Sequence, residues 1–258
     1  MSRPVEHSGS RGVSLGVGWV SALVLAAVFA TLGAWQLGRM QEKQAMLDAA
    51  AQALDRTRAQ PLLLASDPAR MRNYDWAEGT GNMGGATVWL DNQLRGGKAG
   101  LRMYCVLLPD DGVQGVLVDA GWWPLDGKRT LPTFGCPTQS AQAVRGLLAP
   151  PPSSGLAHGD ALAGSGPQRW LATRLDLPVI AKALKLSAGL APRVLRLDPL
   201  RKTGDAGAML VPGERDLDIL PNTITPQRHL GYAVQWFALA LAVLVIATAL
   251  TLRSRRSR

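Results

Sequence analysis

Arg228-His229-Leu230-Gly231-Tyr232-Ala233-Val234-Gln235-Trp236-Phe237, running on through apolar residues to Leu252, is the stretch on which the fold turns. From Leu230 to Leu252, 23 residues carry no charged side chain. A bilayer core about 30 Å thick needs roughly 20 residues of helix, so this run is long enough to cross one. A histidine stands at its mouth, and Tyr232, Ala233 and Trp236 follow at offsets of three, four and seven. Those offsets share one helical face. Two readings of that face stand side by side. Tyrosine and tryptophan gather at membrane interfaces because their rings are amphipathic, and a histidine there can be a solvated boundary residue. Alternatively, an imidazole above aromatic rings is a seat for a flat, hydrophobic ligand.

Charge sets the orientation. The formal charge of +9 resembles a nucleic-acid signal until it is placed along the chain. Arg253, Arg255, Arg256 and Arg258 supply +4 just beyond the apolar run, while residues 39–228 spread 22 basic against 18 acidic residues. No dense basic stripe with interleaved aromatics occurs there, so no nucleic-acid partner is expected. The positive-inside rule puts the 253–258 tail in the cytoplasm and His229 at the outer end of a span over 229–252. Gly12 to Gly38 is a second uncharged stretch, 27 residues between Arg11 and Arg39. It reads as a first span over 12–38, preceded by a cytoplasmic segment 1–11 with Arg3 and Arg11. The rival is a cleaved signal peptide with a small-residue site at Val28-Phe29-Ala30, against which the apolar run continues to Trp35. Ala22, Ala26, Ala30, Ala34 and Gly38 recur every four residues and predict a face on which the other span packs closely.

Residues 39–228 then form one extramembrane α+β domain, mainly antiparallel sheet, in a two-span α-helical membrane protein. Gln41 to Arg58 reads as a helix leaving the membrane, ended by Pro61. Strands are expected at Ala86–Asn92, Leu101–Leu108, Val113–Ala120, Ala141–Leu148 and Arg193–Leu197. Asp110-Asp111-Gly112 marks a hairpin turn between two of them. Asp176 caps a short helix with Leu177, Ile180, Ala181 and Leu184 inward. Gly79-Thr80-Gly81-Asn82-Met83-Gly84 matches a dinucleotide fingerprint in letters only, with a strand after it where a helix is required; it is expected to be a glycine-rich turn. The stretch from Pro150 to Pro167, with His158 inside it, reads as a flexible loop, and Leu210 to Arg228, with Pro212, Pro221 and Pro226, as an extended lead-in to the second span.

Chemistry-bearing clusters are sparse. Cys105 and Cys136 have no Cys-x-x-Cys spacing; they could form a disulfide in an oxidising compartment, or Cys105 could be a buried small hydrophobe. His7, His158 and His229 have no zinc spacing, and neither a Gly-x-Ser-x-Gly elbow nor a P-loop occurs. An enzyme is not expected.

His229-Leu230-Gly231-Tyr232-Ala233-x-Gln235-Trp236-Phe237 heading a carboxy-terminal apolar helix resembles the Surfeit locus protein 1 family of cytochrome c oxidase assembly proteins. Leu32-Gly33-x-Trp35-Gln36-Leu37-x-Arg39, followed by Lys43, is similar to the exit of that family's first helix. Asp91-Asn92-Gln93 with Gly97 and Gly100, leading to Gly121-Trp122-x-Pro124, keeps the family's order; Gly121 reads as a turn glycine and Trp122 as a large anchor packed under the sheet. One departure is Asp119-Ala120, where the family commonly has Asn-Arg, so a role for that arginine does not carry over. The resemblance implies a part in maturing subunit I of a haem-copper oxidase and binding of haem a, which in the expected mechanism is received from haem a synthase and held only transiently. It implies His229 as axial ligand of the haem iron. To this we add Tyr232 and Trp236 lining the ring, and Arg39 or Arg228 pairing with haem propionates. Expected partners are cytochrome c oxidase subunit I, haem a synthase and membrane lipid. The expected location is a bacterial inner membrane, both termini cytoplasmic and the main domain periplasmic. A scaffold that holds an oxidase intermediate without haem, and a membrane-anchored periplasmic enzyme, are the alternatives.

Overall fold

A computed structural model describes residues 9–55, 58–127, 130–154, 159–200, 213–220 and 223–256. His7, His158, Pro212 and Pro221 lie outside the described residues. The chain divides into two compact units, Met1–Ala45 with Thr223–Arg258, and Met46–Asn222.

The first unit is built on two long helices, α3 over Pro226–Arg256 and the part of α1 (Gly9–Leu54) that runs up to Ala45. Both are long and apolar enough to cross a membrane, and most of their surface is exposed. The predicted first span and the predicted helix after it are thus one continuous helix, unbroken through Val28-Phe29-Ala30. The start of α3 is dictated locally: Pro226 fits a first helical turn, where no amide is needed, and the Thr225 hydroxyl accepts from the Arg228 amide at 3.4 Å.

The second unit is a mixed sheet. Its strands are β1 (Gln60–Pro61), β2 (Asp75–Arg95), β3 (Lys98–Pro109), β4 (Gly115–Pro124), β5 (Thr138–Ala149), β6 (Leu162–Gly166), β7 (Arg169–Ala172) and β8 (Leu190–Leu197). A short helix, α2 (Leu177–Ala183), precedes β8, with Asp176 accepting from the Val179 amide at its N-terminus. Pairing runs β3-β4-β8-β5-β2-β7-β6, and β2 also pairs with β3, which closes a ring through β2, β3, β4, β8 and β5. The β2–β3, β3–β4, β2–β5, β5–β8 and β6–β7 pairs are antiparallel; β1–β2, β2–β7 and β4–β8 are parallel. Both faces of the central strands are covered. Leu101, Met103, Cys105 and Leu107 of β3 point into one core with Trp89 and Val118, while Tyr104 and Val106 point into another with Ile180 of α2. Burial on both sides is why β3 and β4 read as nearly continuous apolar runs.

Three expectations are corrected here. Gly79–Gly84 is not a turn but lies inside β2, crossing a register shift between Gly81 and Met83. Two of its glycines serve packing: a Cβ on Gly79 would lie 2.7 Å from Cβ of Leu62, and one on Gly81 would run into the Leu108 carbonyl. The predicted loop over 150–167 contains β6, because Leu162–Gly166 finds an edge on β7 that composition does not reveal. Gly121 sits within β4 rather than in a turn, where the β3–β4 register shifts, and Trp122 beside it is buried with its indole donating to the Gln93 carbonyl at 2.8 Å. The Asp110-Asp111-Gly112 hairpin and the five expected strands are present.

Candidate functional site

In the first unit, α1 and α3 run antiparallel along a seam of contacts. Gln36 meets His229, Gly33 meets Phe237, Phe29 meets Trp236 and Trp19 meets Thr251. On α1 the seam positions are 19, 22, 26, 29, 33 and 36, spaced alternately by three and four residues. That is the spacing of a coiled-coil stripe. The expected small-residue face, spaced strictly by four, is therefore corrected. Each step of four turns about 40° past a full rotation, so Ala22 and Ala26 lie near the seam while Ala34 and Gly38 have rotated out to the exposed side. Close approach is set by Gly33, where a Cβ would stand 2.8 Å from the Phe237 ring.

His229 is 6% exposed, and its Nδ1 lies 2.6 Å from Oε1 of Gln36. Ala233 and Ala240 are buried below it, and Trp236 packs against Phe29 with ring centroids 5.6 Å apart. The sequence-derived group is thereby divided. His229, Ala233 and Trp236 share the seam, whereas Tyr232 is 42% exposed on the flank of α3. Arg39 pairs with Glu42 along α1 at 2.5 Å, both side chains being well exposed. Such a pair is worth about 0–1 kcal/mol, so its guanidinium exchanges partners cheaply. Arg228 is exposed one residue before His229.

Gln36 and Phe29 were not singled out from the sequence as site residues. A signal for Gln36 was available. It is an uncharged polar residue within the 12–38 apolar run, and a polar side chain at such a position is expected to face a polar partner rather than lipid. Gln36, Arg39 and Lys43 also share one face of α1, at offsets of three and seven.

A groove of about 520 Å³ opens between the same helices at their other end, lined among others by Trp19, Ala22, Val243, Ala247 and Thr251. It shares no lining residue with the His229 end.

The second unit holds two clusters of buried ion pairs. Arg102 bonds Asp119 at 2.9 Å and Asp216 at 2.8 Å, and Arg196 bonds Asp216 at 2.7 Å. Asp119 also accepts from the Gly121 amide at 3.1 Å, so in this chain the residue that departs from the family pattern anchors the β4 bend. A second buried cluster joins Asp75 to Arg193 at 2.7 Å and to Arg70. Burial pushes Asp75 and Asp216 toward higher pKa, but the guanidinium groups against them win and hold both below the usual carboxylate range. Burial, helped by the negative charges of Asp119 and Asp216, raises the Tyr104 phenol well above its ordinary value against the opposing pull of Arg102 and Arg196. These shifts move each group away from neutrality, which suits structural ion pairs and not a proton-transfer site. Among the described residues, no group of three or more His, Cys, Asp or Glu side chains could hold a metal ion. Cys105 and Cys136 are joined in a disulfide, which resolves the alternatives left open for Cys105.

Residues 23–241 match the sequence model of the SURF1 family, which covers most of the chain. No curated protein matches it. The chain belongs to the SURF1 family, a family associated with cytochrome c oxidase assembly and one of assembly factors rather than catalysts.

Proposed function

From membership of the SURF1 family we propose that this chain is an oxidase assembly factor, anchored in a bacterial inner membrane by α1 and α3. It takes haem a as cargo and assists its insertion into subunit I. The observation that carries the reading is His229 at the mouth of two paired apolar helices, with its Nδ1 engaged by Gln36, so that Nε2 is the nitrogen that would meet iron. A lone imidazole cannot hold a bare metal ion, which needs several donors. It can ligate a metal whose other valences a macrocycle already fills, and the haem then supplies the iron that the oxidase uses. The donor set therefore fits this cargo.

The roles of the chain's own residues follow. His229 would hold the haem iron; Trp236, braced by Phe29, offers an apolar wall on the seam; Tyr232 would offer a second ring from the flank of α3. Arg39, Arg228 and the face bearing Lys43 supply cations for propionates at the helix ends. A single protein ligand favours release as well as capture, as a carrier requires. The Cys105–Cys136 disulfide supports a periplasmic domain, because thiols in the cytosol are kept reduced. We assign the chain no catalytic role.

The test is absorbance of the purified chain after co-expression with haem a synthesis. A Soret band is expected in the parent and is lost in His229→Ala. A parent without haem would overturn the carrier reading in favour of a scaffold that holds subunit I. Equal haem in His229→Ala would overturn the ligand assignment.

A further inference from the structure

We infer that Gln36 is the positioning residue that sets the tautomer and orientation of His229; this rests on the proposed role of His229 and deepens it. Oε1 of Gln36 sits 2.6 Å from Nδ1 of His229. An amide oxygen has no hydrogen to give, so in this contact Nδ1 carries the proton and donates it. A neutral imidazole has one N–H, so Nε2 is left with a bare lone pair. That is the nitrogen able to ligate iron without first losing a proton. An unconstrained histidine side chain prefers the opposite tautomer, with the proton on Nε2. Gln36 thus selects the minority form.

Three further observations place this contact under structural control. Gln36 and His229 lie on different helices, 193 residues apart in sequence, so the bond forms only when α1 and α3 are paired. The pairing at this level depends on Gly33, one turn away, where any side chain meets Phe237. His229 is buried and its backbone amide is tied to the Thr225 carbonyl at 3.1 Å in the first turn of α3, so ring and helix start are fixed together. An amide is suited to the task. A carboxylate at this place would draw the imidazole toward the doubly protonated, non-ligating form, whereas a neutral acceptor fixes the proton without changing the charge.

The experiment uses the full chain in detergent micelles, without haem, with His7→Gln and His158→Gln so that His229 is the sole imidazole. Histidine labelled with 15N reports which ring nitrogen is protonated at a pH where the ring is neutral. The expected spectrum shows a protonated Nδ1 and a bare, pyridine-type Nε2. In Gln36→Leu the two signals exchange identity in most molecules, while Gln36→Glu, which keeps an oxygen acceptor, retains a protonated Nδ1. A bare Nδ1 in the parent overturns the inference, and so does a Gln36→Leu spectrum identical to the parent's. In the haem-loaded chain, Gln36→Leu is expected to weaken retention by about 10–100-fold, the usual cost of losing a hydrogen-bond partner behind a metal ligand. The two proposals fail separately. A protonated Nδ1 in a chain that never carries haem sinks the carrier reading alone, and haem bound by a chain with a bare Nδ1 sinks the role of Gln36 alone.

Discussion

Replacing Asp75 by asparagine removes one charge from the interior of the sheet domain and nothing else of comparable size. Asp75 on β2 and Arg193 on β8 have side chains with 0% exposure, and Arg193 reaches the carboxylate at 2.7 Å. The variant leaves a buried guanidinium without its counter-charge, a situation that costs about 3–5 kcal/mol. The lower end applies here. Arg193 still donates to the carbonyls of Leu64 and Asn73, and the asparagine oxygen keeps one acceptor. A loss of about 3 kcal/mol, with a urea slope of about 2 kcal/mol per molar, moves the unfolding midpoint down by about 1.5 M. Tryptophan fluorescence in micelles reads it, since Trp76 lies next to Asp75 in the same domain. The sign with pH also follows. Because the folded carboxylate titrates below its ordinary value, its contribution is complete above the unfolded value of about 3.9 and disappears as pH falls through the folded one. The gap between parent and Asp75→Asn is therefore constant from about pH 5 to 8 and narrows below about 4. The double variant Asp75→Leu with Arg193→Met, which removes both charges, is expected to be more stable than Asp75→Asn alone. A midpoint shift under about 0.5 M, or a gap that widens in acid, would refute the account of a buried, mutually dependent ion pair.

Three other outcomes follow from the same geometry. Cys105→Ser with Cys136→Ser opens a loop of sequence separation 31 and is expected to cost about 3–4 kcal/mol in the same urea titration; a loss below 1 kcal/mol contradicts it. Tyr104→Phe removes a buried hydroxyl that has no hydrogen-bond partner among the described residues, so stability should stay within about 0.5 kcal/mol or rise; a loss above about 1.5 kcal/mol would mean that the hydroxyl is satisfied. Gly33→Leu pushes against Phe237 on the α1–α3 seam and is expected to part Gln36 from His229, so haem retention falls toward the level of His229→Ala, whereas Gly33→Ala is mild because the half-exposed Phe237 ring can swing aside; the Soret band measures both.

Much of this protein is legible one-dimensionally because the forces involved are local or periodic. Runs of 23 and 27 uncharged residues suffice to mark α3 and the apolar part of α1, since helix length against bilayer thickness is arithmetic on the chain. The β3–β4 hairpin and the cap on α2 follow from Asp-Gly turn chemistry and from an aspartate ahead of an apolar repeat. His229 stands out because the sequence has only two other imidazoles, and the motif around it identifies the family.

What only the tertiary structure decided depends on which distant residues meet. The glycines of Gly79–Gly84 look like a turn until Leu62 and the Leu108 carbonyl are seen pressing on them. β6 exists because β7 gives it an edge. The arginines and aspartates at 75, 102, 119, 193, 196 and 216 carry no recognisable spacing, since the partners of each pair are distant in sequence and meet only when the strands and the segment around Asp216 are folded together. A stripe of alanines at every fourth position suggested the wrong seam, because 3.6 residues per turn carries such a stripe around the helix. The same holds for the site. Sequence supplied the histidine, but the amide that orients it comes from the far end of the chain, and only the packing of α1 on α3 brings the two within 2.6 Å.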